Sequence, residues 1–129
     1  MNDGLRTLLI VEDAEDCATT LEIALSALPH IVIRHAHTAE SAIQTLEREP
    51  VSAIITDVHL PSMDGLELVA AVRRQPRYAH LPILVISGDA DPETPCKALN
   101  LGANAFFGKP YSPARVRQKI EELIDAHRV

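Results

Sequence analysis

The chain has no tryptophan, two phenylalanines and two tyrosines among its 129 residues. Aromatic platforms for stacking nucleic-acid bases are therefore missing. Basic excess is missing too: the formal net charge is −6, which argues against nonspecific binding to a phosphate backbone. The two cysteines, Cys17 and Cys96, lie far apart without metal-type spacing and read as reduced thiols rather than a disulfide or zinc framework. No apolar run approaches the roughly 18 residues needed to cross a bilayer. The start Met1-Asn2-Asp3-Gly4 has neither a basic segment nor an apolar stretch after it. No secretory signal is expected, and a cytoplasmic location is the default expectation. Neither GxxxxGK[ST] nor GxGxxG occurs, so no glycine-rich loop is present to cradle a nucleotide phosphate.

The sequence does contain short apolar runs alternating with amphipathic stretches. Leu8-Leu9-Ile10-Val11, Ile31-Val32-Ile33, Ala53-Ile54-Ile55-Thr56, Ile83-Leu84-Val85-Ile86 and Ala105-Phe106-Phe107 read as five strands. The second is short and followed by Arg34 and His35, as suits an edge strand. Between them, Leu21, Ala24, Leu25 and Leu28 repeat at helical spacing, as do Ala42, Ile43 and Leu46, then Leu66, Val69 and Val72. Thr38 is expected to cap the second helix. Thr94 is expected to cap the fourth with Pro95 at its first position, and Gly102 to end it in a left-handed cap. Ser112 caps a last helix begun by Pro113, with Val116, Ile120, Leu123 and Ile124 on its apolar stripe. The expectation is one α/β domain over residues 1–129: a parallel sheet of five strands covered on both faces by five helices.

In such a sheet, ligands bind beyond the carboxyl ends of the strands. Those ends deliver Glu12 and Asp13, then Asp57, then Ser87, with Lys109 just after the fifth strand. Clustered carboxylates resist joint ionisation unless a cation lies among them. Magnesium is a hard cation that prefers such oxygen donors. A carboxylate can act as a nucleophile toward phosphorus, a lysine offers a compact charge for phosphate oxygens, and a serine offers a hydroxyl donor. Taken singly, each of these residues has a bland reading. Acids favour helix starts, aspartates favour turns, and most lysines are solvated. The ordered set is what carries information.

Four segments in register, Leu8 to Asp13 (LLIVED), Ile54 to Leu68 (IITDVHLPSMDGLEL), Val85 to Gly88 (VISG) and Gly102 to Tyr111 (GANAFFGKPY), together resemble the receiver domains of two-component response regulators, the CheY-like superfamily. The resemblance covers roughly the whole chain. It implies a flavodoxin-like three-layer sandwich with strand order 2-1-3-4-5, an order the family shares with other doubly wound folds. It implies Asp57 as phosphoacceptor, with Ser87 and Lys109 binding phosphoryl oxygens. It implies Mg2+ (or Mn2+) held directly by Asp13, Asp57 and the backbone carbonyl of His59, and through water by Glu12. Ser87 and Phe106 match the switch positions, and Lys109-Pro110 matches a bond that is cis in the family.

The implied partners are a sensor histidine kinase or histidine phosphotransfer protein and a downstream target or output domain. The face of the fourth helix, fifth strand and fifth helix serves as the switched surface, with homodimerisation as another use of it. No nucleic acid and no membrane insertion are expected. The module is expected to signal rather than turn over a substrate, beyond assisting its own phosphotransfer and dephosphorylation. A phosphohydrolase working through an aspartyl phosphate is the alternative, but the second acid such enzymes carry two residues after the nucleophile is here His59. The other histidines show no ligand spacing, and His59 is expected to lend its carbonyl rather than its ring. His59 and Asp89 stand two residues after the acceptor and the hydroxyl, positions that tune phosphoryl lifetime in the family, and Asp89 is expected to govern the hydrolytic water. The sequence departs from the commoner pattern at Ser87 (usually threonine), Gly88 (usually alanine), Phe106 (often tyrosine) and in the prolines Pro92 and Pro95. The last of these puts the partner surface in doubt, though not the pocket. Whether the chain acts alone or opens a longer protein is undecided by its sequence.

Overall fold

The computed structural model describes residues 5–127. Its elements are β1 (Arg6–Val11), α1 (Glu15–Leu25), β2 (Ile31–Ala36), α2 (Ala39–Arg48), β3 (Ala53–Asp57), α3 (Gly65–Arg73), β4 (Ile83–Ser87), α4 (Thr94–Leu101), β5 (Ala105–Gly108) and α5 (Pro113–His127), with a 3-10 turn at Pro76–Tyr78. The strands form one parallel sheet in the order β2-β1-β3-β4-β5. This is the flavodoxin-like arrangement the sequence implies.

Alternation along each strand splits the core into two layers. Leu9, Val11, Ile54 and Val85 face α2, α3 and α4, where they meet Ala42, Leu46, Leu68, Val69, Val72 and Ala98. Leu8, Ile10, Ile55, Leu84 and Ile86 face α1 and α5, meeting Leu21, Leu25, Val116, Ile120 and Ile124. The central strands β3 and β4 are buried along their whole length. That explains why they read as continuous apolar runs. Phe106 and Phe107 fall on opposite layers. No helix among the described residues is long and apolar enough to cross a membrane.

Helix ends follow local chemistry. The Thr38 hydroxyl accepts the Ser41 N–H at 3.0 Å. Asp64 and Glu67 form a reciprocal capping box, and the Ser112 hydroxyl accepts the Arg115 N–H. Gly102 ends α4 at φ 115°. Three boundaries differ from the sequence reading. Glu93, not Thr94, is the N-cap of α4, so Thr94 and Pro95 are its first two residues. Both residues suit the first turn, where no intrahelical N–H partner is needed, and the Thr94 side chain is buried there. Helix α1 stops at Leu25, and Leu28 packs on the core from the following turn. Strand β2 runs on through Arg34 and His35, both exposed, because an edge strand tolerates polar side chains.

Candidate functional site

Register decides which residues meet. Val11 pairs with Thr56, Asp57 with Ile86, and Ser87 with Gly108. The next residue beyond β1, the last of β3, the last of β4 and the first beyond β5 are therefore Glu12, Asp57, Ser87 and Lys109, side by side at one edge. Glu12, Asp57 and Ser87 are all buried.

Lys109 ties this edge together. Its Nζ lies 2.6 Å from Asp57 Oδ2, 3.4 Å from Glu12 Oε1 and 3.7 Å from Cys17 Sγ. Its backbone N–H donates to the Ser87 carbonyl at 2.8 Å, and its peptide bond to Pro110 is cis. Burial works against the ammonium, but the hydrogen bond and charge of Asp57 and the charge of Glu12 outweigh it and hold Lys109 well above the ordinary lysine range. Glu12 is raised as well, which for an acid disfavours the charged form. Burial, reinforced by the neighbouring Asp57 carboxylate, pushes it above the usual range despite the Ala14 N–H bond and the Lys109 charge.

The loop after β3 is pinned to the acceptor position. Asp57 Oδ1 accepts the His59 N–H at 2.9 Å, and the Gly65 N–H donates to the Val58 carbonyl at 2.8 Å. Gly65 passes so close that a Cβ there would lie 2.0 Å from the Asp57 carbonyl oxygen. Across the mouth, His59 Nε2 lies 3.4 Å from Asp89 Oδ2, and Ser87 Oγ accepts the Asp89 N–H at 2.9 Å.

The structure thus gathers Glu12, Asp57, Ser87, Lys109 and the His59 backbone. Asp13 follows Glu12 at the rim, exposed and outside this bonded cluster. Phe106 sits half-buried on the β5 layer facing α4. The acidic side chains are not preassembled into a metal cage: among the described residues no three His, Cys, Asp or Glu side chains are grouped to hold an ion. The donor chemistry nonetheless suits a hard cation. The donors are carboxylate and carbonyl oxygens, and the Asp57 and Glu12 carboxylates share one lysine, at 2.6 and 3.4 Å.

Sequence reasoning missed the close approach at Gly65 and the contact of Cys17 with Lys109. Gly65 had a readable signal, since a glycine at the first helical position serves no capping purpose after a capping aspartate. Cys17 had none, because only the fold brings α1 beside Lys109.

Comparison with known proteins places these observations. The family model for the response regulator receiver domain matches residues 8–121. A chemotaxis protein CheY homolog of Campylobacter jejuni is 30% identical over 118 residues, spanning 91% of each chain. The transcriptional regulatory protein GltR of Pseudomonas aeruginosa is 32% identical over 96% of this chain and 51% of its own length. Among solved structures, a putative response regulator from Chloroflexus aurantiacus superposes with a TM-score of 0.87 at 32% identity, over 93% of this chain and 98% of that one.

Proposed function

The chain belongs to the response regulator receiver domain family, and from that premise we propose that Asp57 accepts a phosphoryl group from the phosphohistidine of a sensor histidine kinase or histidine phosphotransfer protein. The reading takes residues 1–129 as one cytoplasmic receiver domain that acts as a signalling module and assists its own dephosphorylation. A carboxylate oxygen of Asp57 bonds to phosphorus as the partner's nitrogen–phosphorus bond breaks, and the partner's imidazole departs. Lys109 already lies on the Asp57 carboxylate and turns to a phosphoryl oxygen as charge appears there. The Ser87 hydroxyl, whose oxygen accepts the Asp89 N–H, keeps its own hydrogen free to donate to another phosphoryl oxygen.

A divalent cation, Mg2+ or Mn2+, supplies the neutralisation that lets an anionic phosphoryl group approach buried carboxylates. Asp13, Asp57 and the His59 carbonyl would hold it directly, and Glu12 through water. Asp13 is exposed and free to turn inward for this. In the phosphorylated form Ser87 and Phe106 shift together. The α4-β5-α5 face then changes its affinity for a downstream target, an output domain or a second copy, as a population shift.

The observation that carries this reading is the Lys109 ammonium bonded to a buried Asp57 between Glu12 and Ser87. Intact-mass measurement with acetyl phosphate and Mg2+ tests it. One phosphoryl addition is expected for the wild type, none for Asp57→Asn and none with a chelator. An unmodified wild type, or a modified Asp57→Asn, would overturn it.

A further inference from the structure

Read along the sequence, His35 and His37 belong to no ligand set. On the fold they stand together. β2 is an edge strand, and its last residue, Ala36, is buried. Side chains alternate along a strand, so His35 and His37, on either side of Ala36, both face solvent. Their ring centroids lie 4.3 Å apart, with the planes tilted by 56°. His35 is also held in place. Its Nε2 lies 2.9 Å from the Glu12 carbonyl oxygen. A carbonyl has no proton to give, so Nε2 carries the hydrogen and donates it, and Nδ1 of the neutral ring presents its lone pair. The backbone beside this bond is fixed as well, because the Glu12 N–H donates to the Ala36 carbonyl at 3.0 Å. Among the described residues the His37 ring meets only the His35 ring, so it can turn toward its neighbour.

We propose that His35 and His37 form a surface site for a borderline divalent transition ion, the class of Zn2+, Cu2+ and Ni2+, with His35 Nδ1 and one ring nitrogen of His37 as protein ligands and water completing the shell. Imidazole nitrogen suits these ions, whereas Mg2+ and Mn2+ prefer the oxygen donors of the pocket. The two sites therefore sort ions by ligand type, and this one does not depend on Asp57 accepting a phosphoryl group. Zinc–nitrogen bonds of about 2.0–2.1 Å put two ligand nitrogens on one ion roughly 3–4 Å apart, a separation that rings at this spacing reach by rotation. The Glu12 carbonyl is the outer partner. Ligating histidines regularly donate their other N–H to a backbone carbonyl, which fixes the tautomer and orients the ring. The ion in turn strengthens Nε2–H as a donor and grips the peptide between Glu12 and Asp13. No group of three His, Cys, Asp or Glu side chains forms here among the described residues, so the site is open to water, unlike the closed four-ligand sites of structural zinc.

Zn2+ titration of the full chain tests this, followed by NMR of the histidine ring nitrogens, with excess Mg2+ present to keep the oxygen donors of the pocket engaged. Before zinc is added, His35 is expected to carry its proton on Nε2. Zn2+ is then expected to shift the His35 Nδ1 signal and one ring nitrogen of His37 together, along a single saturating curve. His35→Ala and His37→Ala are each expected to weaken the binding read at the remaining ring by at least about tenfold, since even an outer partner is worth that much. His80→Ala, at another exposed histidine, is expected to leave the curve unchanged. A His35 proton on Nδ1 in the metal-free protein overturns the site. So does a Zn2+ shift at one of the two rings without the other, or wild-type affinity at His35 in His37→Ala. Failure to saturate below about 1 mM Zn2+, too weak an affinity to mark a site, overturns it equally.

Discussion

Lys109 Nζ lies 2.6 Å from Asp57 Oδ2, so the cation that neutralises the pocket is bonded to the carboxylate proposed to react. Two buried acids depend on it, because Glu12 Oε1 is its next oxygen partner at 3.4 Å. Removing the ammonium leaves two carboxylates facing each other away from water. Lys109→Ala is therefore expected to lower stability by about 1–3 kcal/mol in metal-free buffer, a partly exposed lysine costing less than a fully buried one. Adding Asp57→Asn to that variant should restore much of the loss. A denaturant-melt double-mutant cycle reads this directly, and additive effects would mean that the pair is not coupled.

Gly65 is expected to reject even a methyl group, against its local preference. Alanine is normally the better helix former, but here its Cβ would sit 2.0 Å from the Asp57 carbonyl oxygen. The obstacle is backbone, which cannot rotate aside, so the loop carrying Val58 and His59 must move. Gly65→Ala should cost about 3 kcal/mol or more and should slow phosphoryl addition, since the His59 N–H that holds Asp57 Oδ1 moves with the loop. A chemical melt alongside the intact-mass assay checks both. An unchanged melt would show that the close approach is relaxed in solution.

Much of this was legible because the pocket is built from strand ends. Once Leu8–Val11, Ala53–Thr56 and Ile83–Ile86 are read as buried parallel strands, the residues after them must share an edge, and the lysine follows from β5. Details that depend on packing across elements were not legible. Thr94 reads as a cap because threonine commonly caps, yet it is buried as the first residue of α4, and Glu93 holds the N-cap position without a side-chain cap bond. The contact of Cys17 with Lys109 spans 92 residues of sequence and leaves no local pattern. Arg73 is similar. It donates to the Gly102 and Tyr78 carbonyls and to Asn104, and so anchors the end of α3 to the end of α4. In sequence it is one of two adjacent arginines with nothing to mark it.

Glu12 should make the metal-free protein less stable at neutral pH than a neutral isostere would. Its folded pKa is raised, chiefly by burial, so the folded state binds that proton more tightly than the unfolded chain. The sign follows from linkage: its favourable contribution is full below the ordinary carboxylate range and is lost as pH rises through the raised value. Glu12→Gln, which can still accept the Ala14 N–H, is expected to melt a few degrees higher than wild type near pH 7. That gain should shrink toward zero as the pH falls to about 4. Thermal melts across that window in chelator decide it. A glutamine variant less stable at neutral pH would show that the bond to Lys109 outweighs burial.

The bridge between His59 and Asp89 gives the last expectation. Their side chains meet at 3.4 Å from opposite loops, one leaving β3 and the other β4, and so span the mouth above Asp57. Water that reaches an aspartyl phosphate through this mouth would pass or replace the pair. Asp89→Asn removes the charge while retaining an oxygen for the Asp91 N–H, so it separates the bridge from the loop geometry. We expect Asp89→Asn to shorten the phosphoryl half-life about two- to fivefold, the scale of one weak, solvent-exposed polar contact. His59→Ala should do the same, and the double variant should do no more than either. Decay of the phosphorylated mass after removal of acetyl phosphate measures it. An unchanged half-life in Asp89→Asn and in Asp89→Ala alike would mean that water reaches Asp57 by another route.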